Sequence, residues 1–415
     1  MIKKIQIELF IFAILLISVL LTYKIDISIY SVFSNFNYGH GSVYLKKFFV
    51  GLTNLGDSLW YFVIFILFFL FSYFAKKTNL ITLNKYSYFK KISFFGFSYL
   101  FLVGVITQVI KHMVGRPRPN HTQLDGVFDF NFFTTESAFH SFPSGHSSTI
   151  LAIAIIASLI IPSLKYFFYL CGFFIALSRV VVGAHFVTDV IAGALIAIIT
   201  YKVFNFFIEK KYPKTYWGNL EIKKISILTK ALIVFLLLAI FLTAGPEIDI
   251  FISNLFYFGN NQFLIQSYYF ISILFRKILL PLLLVYIFVI PLVLKFLPMQ
   301  KIYFGYKFSF SEIVFVWLTG IFTTLLVVNI LLKNMWGRVR PNDILDFGGV
   351  EIFTPWYKIS NSCSLNCSFV SGDASVGFLI VVFYFITKRN IYLYLSLILG
   401  SLLGVVRIFA GGHVL

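Results

Sequence analysis

"ISFFGFSYLFLVGVITQVIKHMVGRPRPN" runs from Ile92 to Asn120, and its first two thirds decide the fold. From Ile92 to Ile110 no residue carries a charge, and then Lys111, His112, Arg116 and Arg118 arrive in quick succession. An uncharged run of about 20 residues is long enough to cross the hydrocarbon core of a bilayer as a helix. The same pattern recurs at Leu59–Ala75, Ala231–Ala244, Ile278–Leu294, Ile313–Leu332 and Ile391–Val406. Shorter candidates are Leu9–Tyr23, Ser147–Ile161, Tyr166–Val182, Val190–Phe207 and Ala374–Ile386, eleven candidate spans in all. The 415 residues are 59% hydrophobic and 12% charged, whereas a soluble domain carries about 25% charged residues. Too few polar faces exist to coat these helices in water. The chain reads as an all-α, polytopic membrane protein.

A net charge of +18 would suit a nucleic-acid partner if it formed one patch, but it is broken into clusters between spans. Lys76, Lys77, Lys85, Lys90 and Lys91 form one cluster; Lys210, Lys211, Lys214, Lys223 and Lys224 form another; Lys295, Lys301 and Lys307 form a third. If the spans alternate, these fall on one side together with Lys3 and Lys4, and the positive-inside rule makes that side cytoplasmic. The N-terminus is then cytoplasmic, the first helix is retained because no small-residue cleavage site follows it, and no nucleic acid is expected. Of three cysteines, Cys171 falls within a span, while Cys363 and Cys367 lie in an outward loop where the sequence leaves their pairing open.

The chain repeats itself. "IDISIY" from Ile25 returns as "IDIFIS" from Ile248, and "KHMVGRPRPN" from Lys111 as "KNMWGRVRPN" from Lys333. "SFPSGHSS" from Ser141 returns as "SFVSGDAS" from Ser368, and "RVVVGAH" from Arg179 as "RIFAGGH" from Arg407. Four matches in the same order at nearly constant offset indicate a tandem duplication. The expected layout is two six-span helical bundles: a first domain over 1–208, a basic linker over 209–224 and a second domain over 225–415. The twelfth span does not fall within the 415 residues, so the second bundle is expected to lack its last span.

With alternating spans, the polar residues of the first copy gather at one membrane face. Lys111 ends a span, and Arg116 and Arg118 follow it. Ser144, Gly145 and His146 open another span, and Arg179 and His185 close the next. Singly, each has an ordinary reading as an interface anchor, a helix cap or a loop histidine. Together, these cations, two histidines and a Gly-opened helix N-terminus make an anion pocket. Asp189 stands one helical turn after His185 and can fix its tautomer, leaving the other ring nitrogen as a nucleophile. His146, with an ordinary imidazole value of about 6.5, suits a proton donor to a leaving oxygen.

The motifs "KHMVGRPRP", "PSGH" and "SRVVVGAHFVTD" resemble the three signatures of the type-2 phosphatidic acid phosphatase superfamily, whose membrane branch contains lipid phosphate phosphatases. The resemblance covers Lys111 to Asp189 with every signature position filled. It implies that Lys111, Arg118 and Arg179 bind phosphate and that the backbone of Ser144 and Gly145 donates N–H groups. It also implies that His185 forms a phosphohistidine oriented by Asp189, that His146 protonates the leaving group, and that no metal or other cofactor takes part.

The second copy departs from this pattern. Lys333, Arg340, Ser371, Gly372, Arg407 and His413 match, but Val370 replaces Pro143 and Asp373 replaces His146. The counterpart of Asp189 would lie beyond Leu415. The second site is therefore expected to be degenerate, with Asp373 neutralising one of its cations. The expected function is hydrolysis of a lipid phosphate monoester or diphosphate at the periplasmic face of a bacterial inner membrane. A lipid phosphotransferase with the same intermediate, or a non-catalytic scaffold or transporter, are the competing expectations. The lipid itself stays open among undecaprenyl diphosphate, lipid A, phosphatidylglycerol phosphate and phosphatidic acid.

Overall fold

The computed structural model describes residues 23–34, 40–78, 83–121, 129–211, 227–260, 262–296, 306, 308–360, 362–363 and 367–413. The expected first span, Leu9–Tyr23, lies almost wholly outside these residues, as does most of the expected linker. Among the described residues the chain is helical, with no β-strand beyond two isolated bridges. Among the described residues, seven helices are long and apolar enough to cross a membrane. Two of the eleven expected spans are shorter than that: Gly145–Ile160 and Gly372–Thr387. Both start at a Ser-Gly helix cap inside the motifs, so their apolar length begins only after the site residues. A 16-residue helix rises about 24 Å, less than the hydrocarbon thickness of about 30 Å.

The chain divides into two compact units, Met1–Gly245 and Pro246–Leu415. In the first unit α1 is Tyr23–Ser34, α2 His40–Thr53, α3 Ser58–Lys77, α4 Leu83–Val114, α5 Gly145–Ile160, α6 Lys165–Val181, α7 Val187–Lys211 and α8 Ile227–Ala244. The division falls later than the expected 224/225 boundary because α8 packs on α2. Phe241 joins the cluster of Phe49 and Leu52, and a Cβ at Gly51 would come within 1.7 Å of the Ala244 carbonyl oxygen.

Helix α3 is capped by Asp57, whose carboxylate accepts from the Leu59 N–H at 2.9 Å, and it ends in Lys76 and Lys77. Only 17% of its apolar window is buried. A helix that leaves most of its Phe and Leu side chains uncovered needs lipid around it. The interior is formed by α4, α5 and α7 around Phe95, Tyr99, Val103, Ala152, Ile155 and Ile196. Small residues bring these backbones close, as is usual in membrane bundles. A Cβ on Gly193 of α7 would sit 2.5 Å from the Ser144 carbonyl oxygen, so glycine is what allows α7 to abut the start of α5. Tyr99 donates its hydroxyl to the Ala197 carbonyl at 2.6 Å, which satisfies a polar group in this dry core.

In the second unit α9 is Ile248–Asn254, α10 Phe270–Phe296, α11 Phe310–Asn334, α12 Gly372–Leu379, α13 Val381–Thr387 and α14 Asn390–Phe409. Helix α10 contains π-helical stretches at Ile273–Leu279 and Val285–Val289, and α11 ends in one at Phe322–Asn334. Its core is Ile287, Ile313, Val316, Ile380, Phe383 and Leu403.

Candidate active site

The first unit assembles its site where α4 ends, α5 begins, α6 ends and α7 begins. Lys111 on the last turn of α4 is buried and donates to the His140 carbonyl at 2.9 Å. Its side chain also lies against the start of α5, where a Cβ on Gly145 would be 3.8 Å from Lys111 Cε. Ser144 caps α5, its hydroxyl accepting from the Ser147 N–H. Arg118 donates from Nε to the Ser137 carbonyl at 3.0 Å, and Arg179 donates from Nη1 to Thr53 Oγ1 at 2.7 Å. Arg179 Nε is buried with no hydrogen-bond partner among the described residues. His146 sits under Gly56, where a Cβ would come within 2.9 Å of it. The ordinary value of about 6.5 expected for His146 does not hold here: burial first, then the charges of Arg179, Lys111 and Arg118, push its imidazole down to about 4, with Asp57 pulling the other way. The structure thus brings Lys111, Arg118, Arg179, His146 and the start of α5 together.

His185 occupies the short connection between α6 and α7 and is buried. Its Nδ1 is 2.7 Å from the Ser141 carbonyl and 3.6 Å from Asp189 Oδ2. A carbonyl oxygen only accepts, so Nδ1 carries the hydrogen and Nε2 keeps the lone pair. Burial pushes the imidazole down to about 3, with the Asp189 interaction pulling the other way. His185 is therefore neutral at any physiological pH.

The nearer partner of His185 Nδ1 is the Ser141 carbonyl, and Asp189, expected to orient the ring, stands behind it. Asp189 is itself held on every side. Its Oδ2 accepts from Ser141 Oγ at 2.5 Å and from the Phe186 N–H at 2.9 Å, and its Oδ1 accepts from Arg116 Nη1 at 2.7 Å. Its backbone carbonyl accepts from the Ser144 N–H at 2.9 Å. One carboxylate thus ties the histidine segment, the serine before the α5 cap and Arg116 into a single unit.

Arg116 completes this network. Its Nη2 donates to Asp26 Oδ2 at 2.8 Å, its Nη1 also reaches Thr188 Oγ1 at 2.7 Å, and its guanidinium stacks on the Phe186 ring at 4.4 Å. Thr188 donates its hydroxyl and its N–H to Asp26. The arginine that follows Lys111 most closely is thus a structural clamp, buried at 2% exposure, rather than a pocket cation.

The second unit repeats much of this. Arg338 donates to Asp249 at 2.5 Å, the Ser368 N–H donates to the Arg338 carbonyl at 2.7 Å, and His413 Nδ1 donates to the Ser368 carbonyl. Burial pushes His413 down to about 3. Ser371 caps α12, and a Cβ on Gly372 would be 3.4 Å from Lys333 Nζ. Asp373 Oδ2 lies 3.6 Å from Arg407 Nε, as its expected pairing requires. It also lies 3.3 Å from Nε of Arg276, a residue of α10 that the repeat does not point to. Lys333, Arg340, Arg407, Arg276, Asp373 and His413 line a cavity of about 380 Å³.

The profile of the PAP2 superfamily matches residues 91–213 and 313–415, together more than half of the chain. The chain belongs to the PAP2 superfamily. The two matched stretches fall one in each unit, as a tandem duplication requires. The chain is 38% identical over 146 residues to the lipid A 1-phosphatase of Rhizobium etli, covering 34% of this chain and 62% of that protein. It is 41% identical over 92 residues to the lipid A 4'-phosphatase of Francisella tularensis subsp. novicida, covering 21% of this chain and 41% of that one. The chain thus spans about three fifths or less of the curated relatives it matches. A PAP2-type phosphatidylglycerolphosphate phosphatase structure from Bacillus subtilis aligns at 24% identity and a TM-score of 0.36, over 52% of this chain and all of the other.

For this PAP2 superfamily member, motif reading missed the residues that hold the site residues in place: Asp26, Arg116, Ser141, Thr53 and Thr188 in the first unit, and Arg276 in the second. A signal for Asp26 existed. It is a lone carboxylate in an apolar stretch that the duplication retains as Asp249, and a buried charge kept in both copies needs a partner. Nothing in the sequence links Thr53 or Arg276 to a site far along the chain.

Proposed function

We propose that the first unit is a lipid phosphate phosphatase that works through a phosphohistidine at His185. The observation that carries this reading is the state of His185: buried, neutral, with Nδ1 engaged by the Ser141 carbonyl and Nε2 given no hydrogen bond among the described residues, beside Lys111 and Arg179 whose charges reach it. In the first step Nε2 attacks phosphorus, a P–N bond forms and the bond to the ester oxygen breaks. His146 gives its proton to that oxygen, which leaves as an alcohol. In the second step water attacks phosphorus, the P–N bond breaks and His146 takes the water's proton, so both histidines return to their starting states. Lys111, Arg118 and Arg179 stabilise the charge on the three equatorial oxygens, where most of the rate gain in phosphoryl transfer arises. A phosphate dianion in the pocket offsets the cations around His146 and so favours the protonated ring it needs.

The lipid and the membrane face follow from separate support. The relatives are lipid A 1- and 4'-phosphatases, so lipid A leads the list of substrates. The site opens on the side opposite the lysine clusters, which positive-inside reasoning makes the periplasmic face. The equivalent loop of the second unit carries a Cys363–Cys367 disulfide, a bond that suits an oxidising compartment.

The test is phosphate release by the purified chain from a panel of lipid phosphates led by lipid A, with and without chelator, paired with radiolabel trapping. Label from the substrate should stay on the native chain after rapid denaturation and be absent from His185→Ala. Label retained by His185→Ala at the native level would overturn the assignment, and so would a panel that releases no phosphate.

A further inference from the structure

We propose that the cavity of the second unit is a phosphomonoester-binding site that holds a phosphate group without hydrolysing it. The cavity of about 380 Å³ is of ligand size and lies wholly within one unit. Lys333, Arg340 and Arg407 occupy the positions that Lys111, Arg118 and Arg179 take in the first unit. The replacement of His146 by Asp373 introduces a negative charge that, alone, would cancel one of them. Arg276 removes that effect. Its Nε lies 3.3 Å from Asp373, which also sits 3.6 Å from Arg407. Among the described residues that line the cavity, four cations accompany one carboxylate, so Arg276 offsets the charge that Asp373 adds to the shared Lys–Arg–Arg set.

Arg276 is costly where it stands. It lies within an apolar helix that by length crosses the membrane, in a π-helical turn whose wider spiral lets it face the cavity. Ionisable residues in such helices mark ligand sites because a charge among lipid tails needs a compensating partner. Its side chain is half exposed, 49%, against 8% for Arg407. Arg276 is thus at the mouth of the cavity, where an entering phosphate meets it first.

The same geometry explains why binding would not lead to turnover. Asp373 lies between two guanidiniums, 3.3 Å from Arg276 Nε and 3.6 Å from Arg407 Nε, and so serves as their counter-ion where the first unit has the imidazole of His146. His413 is placed like His185, with Nδ1 on the Ser368 carbonyl, but the departing alkoxide has no acid beside it where His146 stands in the first unit.

The experiment uses the full chain carrying His185→Ala, Arg118→Ala and Arg179→Ala, which disables the first pocket. Binding of radiolabelled orthophosphate and of lipid A in detergent micelles is measured at equilibrium, together with phosphate release. One equivalent of phosphate group should still bind, no phosphate should be released, and Arg276→Gln or Arg340→Ala should weaken binding about 10- to 100-fold. Asp373→Asn should tighten it by removing the competing anion. Tighter retention of lipid A than of orthophosphate assigns the site to a lipid headgroup, and the reverse assigns it to free phosphate. If the triple variant fails to fold, His185→Ala alone should bind two equivalents, one of them sensitive to Arg276→Gln. Loss of all binding in a folded triple variant, or indifference to Arg276→Gln, would overturn the proposal. So would phosphate release that His413→Ala abolishes, since the second cavity would then be a second catalytic site.

Discussion

Replacing Arg116 by lysine keeps the charge and removes the fork. The guanidinium reaches Asp26 with Nη2 at 2.8 Å and Asp189 with Nη1 at 2.7 Å, while its face stacks on Phe186 at 4.4 Å. An ammonium is a point charge and cannot hold two carboxylates in that planar geometry. One charge-assisted hydrogen bond is lost, worth about 1.5–3 kcal/mol, along with a desolvated cation–π contact worth about 1–2 kcal/mol. The stability loss should thus be about 2–5 kcal/mol. For catalysis the consequence runs through Asp189. Its Oδ2 stays tied to Ser141 and Phe186, but its Oδ1 loses its anchor, so the carboxylate and the Ser141 carbonyl that holds His185 Nδ1 can drift. A misplacement costing about 1.4–2.8 kcal/mol at the transition state lowers kcat about 10- to 100-fold. KM should hardly change, because Lys111, Arg118 and Arg179 are untouched. The assay is steady-state phosphate release from micellar lipid phosphate, with thermal unfolding of the same preparation. Arg338→Lys is the control: it breaks the matching clamp in the second unit and should reduce stability while sparing kcat. A folded Arg116→Lys chain with kcat within about twofold of native, or one whose loss lies wholly in KM, would refute a positioning role for the clamp.

His146→Ala should lower the rate about 10²–10⁴-fold for alkyl phosphates, a span typical of a general acid, and much less for aryl phosphates that leave without a proton; equal losses for both would remove His146 from that role. Acid should destabilise the chain through its two buried neutral imidazoles. His185 and His413 sit near 3 in the folded state, so below about 6.5 the unfolded chain binds more protons and stability falls as pH drops towards 3. Between neutrality and pH 5.5 the cost is about 1.4 kcal/mol for each. Thermal unfolding at pH 7.5 and 5.5 should show the acid loss shrinking by that amount in His413→Gln, and an unchanged loss would show that His413 is not held neutral. In a Cys171→Ala background, a cysteine at exposed Phe132 should react with an impermeant maleimide from outside intact cells and one at Thr78 should not; the reverse pattern would invert the topology.

The legible part of this protein was the part written in one-dimensional patterns. Uncharged runs bounded by lysines fix where helices cross, since the bilayer demands a certain length of apolar chain whatever the tertiary contacts. The short motifs around Lys111, Ser144 and His185 place ligand-facing groups at helix ends, and helix ends are set by local capping and by glycine. The distant partners left no such trace. Thr53 meets Arg179 because α2 lies beside α6, and Arg276, in a π-helical stretch of α10, meets Asp373 at the start of α12. Both depend on packing between elements far apart in the chain. The packing of α8 is of the same kind: a run of lysines announces a loop, but only the contact of Ala244 with Gly51 shows that α8 packs within the first unit.

The duplication separates fastening from chemistry. Arg116 pairs with Asp26 and Arg338 with Asp249, so each copy ties the segment after its lysine helix to an acidic helix near the start of the repeat. The remaining contacts differ. Arg116 spends its second nitrogen on Asp189, whereas Arg338 uses Nε on the Thr354 carbonyl. The arginine–aspartate pair thus persists when its neighbour changes from a carboxylate to a backbone oxygen, as expected for a clamp that holds a loop against a helix in either unit. The histidine placement persists too, with His185 on Ser141 and His413 on Ser368. The exchange at the pocket lies at the proton donor, His146 against Asp373, joined by the added cation Arg276. Removing the acid while restoring the positive charge is the change that would turn a hydrolytic pocket into a binding one, because phosphate affinity depends on the cations and turnover depends on the proton.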